Sequence, residues 1–214
     1  ALMENLERRA ELFAALNDVE HEYWLENSEA KKYVRELLLF KVKQMTPLLF
    51  AAFEMLSQAD FVRVLRLVSV ISFRYTIISG LNTNDLEPVY HRAAKALLTK
   101  QVSTPGQVFD QLRNIYVPDD RFIGNFTEIE IDTGGQRKRL AKYILCRLET
   151  DQSGVSRDYE ADTGTIEHIL PENAAAEWDT LFLPDRQKDF VYRLGNLTLL
   201  EGKLNRDIGN GLLQ

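Results

Sequence analysis

The chain has 214 residues and 45% apolar content, enough to bury a core in one large domain or two small ones. Its 26 basic and 32 acidic side chains leave a net charge of −6, which argues against a protein built to coat nucleic acid but leaves room for a carboxylate-bearing site with a local basic patch. The single cysteine, Cys146, excludes an intrachain disulfide and a cysteine-rich structural zinc site, and it fits a cytoplasmic protein.

The N-terminal Ala1-Leu2-Met3-Glu4 has neither the basic start nor the apolar stretch of a signal peptide, and both ends read as cut from a longer chain. Helical spacing begins at once, with Leu6, Ala10, Phe13 and Leu16 on one predicted face. Residues 30–56 continue it through Tyr33, Leu37 and Phe40, and Pro47 is expected to kink or split that segment. Asp60 is the expected cap of a helix over 61–79 with Val64, Leu67, Val68, Ile71 and Tyr75 on one face, ended by Gly80. This is the most apolar stretch, but Arg63, Arg66 and Arg74 interrupt it, so no membrane span is predicted. Asn84 or Asp85 starts a further helix running to about Lys100, and Ser103 or Thr104 caps a shorter one over 105–115.

The texture changes near Tyr116. Val117-Pro118-Asp119-Asp120 reads as a turn, and 127–135 alternates before two glycines, as a short strand or a loop. Residues 137–149 form a predicted amphipathic helix with Leu140, Tyr143, Ile144 and Leu148 on one face. A polar loop leads to a short strand over 165–170. Short helices or turns fill 174–192, a second apolar run covers 194–200, and a helix is expected from Lys203 onward. These elements give a mainly α fold class: a helical domain over 1–115 and a small α+β domain over 116–214. Trp24 and Trp178 suit a core, and His21 and His91 suit surface or structural roles. Arg137-Lys138-Arg139 suits a solvated helix start, and Arg74 a buried ion pair with an acid of the next helix.

Two short runs stand apart. Thr165-Ile166-Glu167-His168-Ile169-Leu170-Pro171 precedes Leu194-Gly195-Asn196-Leu197-Thr198-Leu199-Leu200, and Asn205 comes shortly after. A Glu-His pair alone usually marks nothing; the ordered set with Pro171, Gly195-Asn196-Leu197 and Asn205 is what carries information. In that order the groups resemble those of an HNH-type nuclease. More narrowly, they resemble the C-terminal HNH-like domain of GmrSD-type, modification-dependent (type IV) restriction endonucleases and related phage-defence proteins. Ser72-Phe73-Arg74-Tyr75, the 82–87 segment and Lys142-Tyr143-Ile144-Leu145 are similar as well.

The resemblance implies a ββα-metal motif after the helical bundle, with DNA as substrate and Mg²⁺ or Mn²⁺ as cofactor. It also implies a ParB-like, nucleotide-hydrolysing N-terminal domain on the same or a partner chain, whose D-G-Q-Q-R type signature is absent from this sequence. Phosphodiester hydrolysis needs an activated water, a cation on the phosphate and help for the leaving oxygen. His168, at the end of a predicted strand, is the candidate base. Glu167 and Asn205 are the candidate ligands, since a hard cation takes oxygen donors at about 2.0–2.1 Å and keeps several waters. Asn196 completes the catalytic set of His168, Asn196 and Asn205 as a side chain that bridges backbone groups and orients the histidine. Arg193, Lys203 and Arg206 are candidates for phosphate contact, and Asn210 for a turn cap. Glu167 stands where many HNH enzymes carry Asp. The competing readings are a helical interaction module bearing an inactive HNH remnant and an RNA-cleaving toxin domain.

Overall fold

A computed structural model of the chain describes residues 2–135 and 137–201. It is mainly helical with one small two-stranded sheet, and it divides into two compact units, 1–123 and the part from Gly124 onward. Sequence texture places the boundary at 115/116; the division in the structure falls inside a helix.

The first unit begins with α1 (Leu2–Asn17). Its expected buried face is not the one used: Leu6 is 52% exposed and Phe13 56% exposed, while Leu12 and Ala15 are fully buried. The reason lies in Trp24, which is buried in a short turn, Glu22–Trp24, and donates its indole N–H to the Ala15 carbonyl at 2.8 Å. A buried donor needs an acceptor, and this one selects the Leu12–Ala15 side of the helix.

Next come α2 (Ser28–Phe40) and α3 (Thr46–Met55). The continuous segment expected over 30–56 is split, with Lys41 in the left-handed region at φ 56° and Pro47 in the first turn of α3, where its missing N–H costs nothing. Helix α4 (Gln58–Ser72) is capped by Ser57 rather than by Asp60. The Ser57 hydroxyl accepts the Asp60 amide at 3.2 Å and donates to its carboxylate at 3.0 Å, so Asp60 sits in the first turn as the cap's partner. The predicted run to Ser79 continues not as α-helix but as a π-type turn, Phe73–Ile78, before Gly80 at φ 57°. A turn at Thr83–Asp85 leads into α5 (Leu86–Leu98), and Thr104 caps α6 (Pro105–Leu112). Helix α3 packs on α4 and α5, and α2 packs on α4. Their shared core includes the fully buried Leu48, Leu49, Phe61, Leu65, Leu86 and Tyr90.

The segment read as a turn at 117–120 opens α7 (Asp119–Glu128), which also absorbs Thr127 and Glu128 of the expected strand or loop. Two acids in its first turn favour a helix start. Arg74 holds the approach to it. The Arg74 guanidinium lies between the rings of Tyr116 at 4.6 Å and Phe122 at 4.4 Å. Its Nε donates to the Val117 carbonyl at 2.8 Å and its Nη2 to Asp119. Arg74 is 12% exposed but its partner Asp119 is 78% exposed, so the expected buried pair with an acid of the next helix is instead a buried guanidinium reaching a surface carboxylate.

In the second unit, α8 (Arg137–Ser153) buries Ala141, Tyr143, Ile144, Leu145 and Cys146 and packs on both strands. Leu148, expected on that face, is exposed. Strands β1 (Thr165–His168) and β2 (Leu197–Leu200) pair antiparallel, with Glu167 opposite Thr198 and His168 opposite Leu197. Between them lie a turn at Ala176–Thr180, the short α9 (Pro184–Gln187) and a turn at Leu194–Asn196. Trp178 is buried in a small cluster with Leu170 and Val191, against which Ala174, Phe182 and Phe190 pack. The helix expected from Lys203 lies outside the described residues. Among the described residues no helix is long and apolar enough to cross a membrane.

Candidate active site

Strand β1 ends at His168, two residues earlier than its apolar run suggests, because the next two amides turn to Asn196 instead of to a strand partner. The Ile169 N–H donates to the Asn196 main-chain carbonyl at 2.8 Å, and the Leu170 N–H donates to Asn196 Oδ1 at 2.7 Å. The Asn196 Nδ2 then donates to the Leu170 carbonyl at 3.0 Å and to the Val191 carbonyl at 3.0 Å. One amide side chain thus satisfies three backbone groups on two segments far apart in sequence. Only an amide can, since it carries donors and an acceptor on one plane. Leu170 and Val191 are also the apolar residues that anchor the small cluster with Trp178, so polar and apolar ties converge on the same two positions. The loop after His168 is held from both sides.

His168 is nearly enclosed, with its side chain 12% exposed. Its Nε2 is buried and has no hydrogen-bond partner among the described residues. The imidazole meets the Tyr192 ring edge to face, with centroids 5.6 Å apart and planes at 88°. The Glu172 carboxylate lies 3.8 Å from Nε2. Hydrogen bonding to Glu172 and its negative charge push the Tyr192 hydroxyl above the ordinary tyrosine range, with a smaller contribution from Asp132. Tyr192 is positioned through its own backbone, whose carbonyl accepts the Ile131 N–H at 2.8 Å beside the Glu130–Arg193 bridge.

Of the residues singled out from the sequence, His168 and Asn196 come together through Ile169 and Leu170. Glu167 precedes His168 on β1, where it faces Thr198 of β2 and His168 faces Leu197. Asn205, Lys203, Arg206 and Asn210 lie outside the described residues. Arg193 is engaged within its own unit: it pairs with Glu128, donates to the Asp189 carbonyl at 3.1 Å and lies over the Phe190 ring. At the start of α8, Arg139 pairs with Glu160, while Arg137 and Lys138 are exposed.

Among the described residues no group of three or more His, Cys, Asp or Glu side chains gathers to enclose a metal. The oxygen donor described beside His168 is the Glu172 carboxylate, since Asn196 Oδ1 is already taken by the Leu170 N–H.

Sequence reasoning misses Glu172 and Tyr192. The signal for Glu172 is its place four positions after His168 and directly after Pro171. Tyr192 carries no such signal, because its place beside the imidazole is set by the return of the chain through the Asn196 turn.

Residues 116–213 match the family model of the C-terminal domain of GmrSD restriction endonucleases, so the resemblance carried by the two runs stands for this part of the chain. No curated protein matches the chain. A nuclease role in restriction is the function this match supports.

Proposed function

We propose that the second unit is a metal-dependent endonuclease of the HNH type that nicks or cleaves foreign or modified DNA, within a cytoplasmic restriction or phage-defence protein. His168 is the general base: its neutral imidazole takes a proton from water as that water attacks phosphorus. Asn196 fixes the loop after β1 and through it the orientation of the ring. Glu167 and Asn205 would hold Mg²⁺ or Mn²⁺, which supplies charge neutralisation on the scissile phosphate. Lys203 and Arg206 are the proposed phosphate contacts. Arg193 is the weaker candidate, since its guanidinium is already shared between Glu128 and Asp189. A ParB-like nucleotide-hydrolysing domain is the proposed partner.

The observation that carries this reading is the near-enclosed His168, with an unsatisfied buried nitrogen, at the end of a strand whose exit is fixed by Asn196. A buried polar atom without a partner costs about 1–3 kcal/mol, and a catalytic role is one reason for a fold to keep it. Supercoiled plasmid incubated with the protein and Mg²⁺ or Mn²⁺ tests it. Nicking is expected, and His168→Ala is expected to lower it by about 10²–10⁴-fold, the usual worth of a positioned base. Cleavage of RNA but not of plasmid would instead favour the toxin reading. Failure to nick together with failure to bind either metal would remove the nuclease reading altogether.

A further inference from the structure

We propose that Glu172 is the positioning residue for His168: its carboxylate accepts a hydrogen bond from the imidazole Nε2–H, which fixes the ring's tautomer and orientation and leaves the lone pair on Nδ1. This deepens the nuclease reading and rests on it.

Three observations converge. The Nε2 of His168 is buried without a partner among the described residues, so this nitrogen calls for one. The Glu172 carboxylate is the acidic group beside it, with Oε1 at 3.8 Å, just beyond hydrogen-bond range. The Glu172 side chain is 47% exposed, so a rotation about its own bonds can close that gap without moving the backbone. The backbone itself is anchored. Pro171 is buried, and Leu170 is tied at both its N–H and its carbonyl by Asn196, so Glu172 leaves a fixed point.

Tyr192 closes the arrangement. Its ring flanks the imidazole and its hydroxyl is held protonated by the same carboxylate, whose two oxygens can serve both donors. A neutral imidazole has one protonated and one free nitrogen, and the partner of the first decides which nitrogen can act as base. Glu172 on Nε2–H therefore leaves Nδ1 as the proton acceptor. The bland alternative is a solvated carboxylate that binds Tyr192 only.

Nitrogen NMR of the His168 imidazole in the full chain decides between them, at about pH 8, above the ordinary histidine range. The wild type is expected to show the Nε2–H tautomer, Glu172→Ala a mixture, and Glu172→Gln, which keeps an acceptor oxygen, the wild-type tautomer. In the plasmid assay Glu172→Ala is expected to lower kcat by about 10–100-fold, the range for groups that orient a site's principal residue, with KM within about twofold, and Glu172→Gln is expected to recover most of it. An unchanged tautomer in Glu172→Ala overturns the proposal, and so does a rise in KM at unchanged kcat. Tyr192→Phe keeps the ring and removes the hydroxyl, which provides a second variant should Glu172→Ala fail to fold. It is expected to retain the Nε2–H tautomer, and loss of that tautomer would move the role to the Tyr192 hydroxyl and overturn the proposal. The tautomer is read without any cleavage. If neither wild type nor variant nicks and neither binds Mg²⁺ or Mn²⁺, the nuclease reading fails while the NMR result still decides the role of Glu172.

Discussion

In the helical unit Phe61, Leu65, Leu86 and Tyr90 are wholly buried among other apolar side chains, and the order of α3, α4 and α5 rests on that burial. From Gly124 onward the apolar cluster is small, Leu170, Trp178 and Val191 with three partly buried neighbours, and one amide makes three hydrogen bonds to the backbone across it. Apolar contacts are set by volume and shape, so several side chains can do the same work. A planar group that donates twice and accepts once has almost no substitutes. The helical unit is therefore expected to tolerate sequence change that the hairpin loop does not.

Substitutions can break or sharpen that contrast. Phe61→Ala, which empties a fully buried site beside Phe53, is expected to cost about 3–5 kcal/mol, read as lost amide protection in α3 and α4. Asn196→Asp keeps the shape and loses both donated bonds, leaving the Leu170 and Val191 carbonyls unserved beside a carboxylate. A cost of about 2–4 kcal/mol is expected, measured as lost amide protection at Ile169, Leu170 and β2. Leu65→Met, an equally conservative change in the other unit, is expected to cost under about 1.5 kcal/mol by urea denaturation. Should Asn196→Asp prove as mild as Leu65→Met, the contrast between keyed and interchangeable contacts is lost.

The smallest expected effect is a pH dependence. Burial keeps the Tyr90 hydroxyl protonated well above its ordinary value of 10.0. The folded state then binds this proton more tightly than the unfolded one, so its stabilising contribution is complete below about pH 10 and is lost as pH rises beyond that. Tyr90→Phe is expected to flatten the fall in urea midpoint between about pH 9 and about pH 11, with a change of about 1 kcal/mol or less at neutral pH.

Much of the helical layout is legible in the sequence because capping and breaking residues act locally. Thr104, Gly80 and Pro47 each mark an end or a start. Where the sequence misleads, a non-local partner decides. Trp24 chooses the buried face of α1 through a single carbonyl, and Ser57 displaces Asp60 as a cap because both side chains fit the role and only one can occupy the position before the helix. The start of α7 reads as a turn because Pro118 and two acids signal either, and only the residues downstream of Asp120 distinguish a helix from a turn. At the site, His168 and Asn196 are legible as an ordered pattern, whereas Tyr192 is found only by tracing the chain around the cluster of Leu170, Trp178 and Val191.

The Arg74 clamp bears on how such proteins exchange parts. Tyr116 and Phe122 open the stretch that matches a recognised family, yet both rings grip an arginine of the helical unit. A graft joined at Tyr116 would deliver foreign residues to Arg74, leaving a largely buried cation stripped of its aromatic walls, its carbonyl and its carboxylate unless the incoming piece brought equivalents. A seam placed after Ile123 would leave that cradle whole, so the unit of inheritance suggested by similarity and the unit that can be transplanted differ by a few residues around one guanidinium.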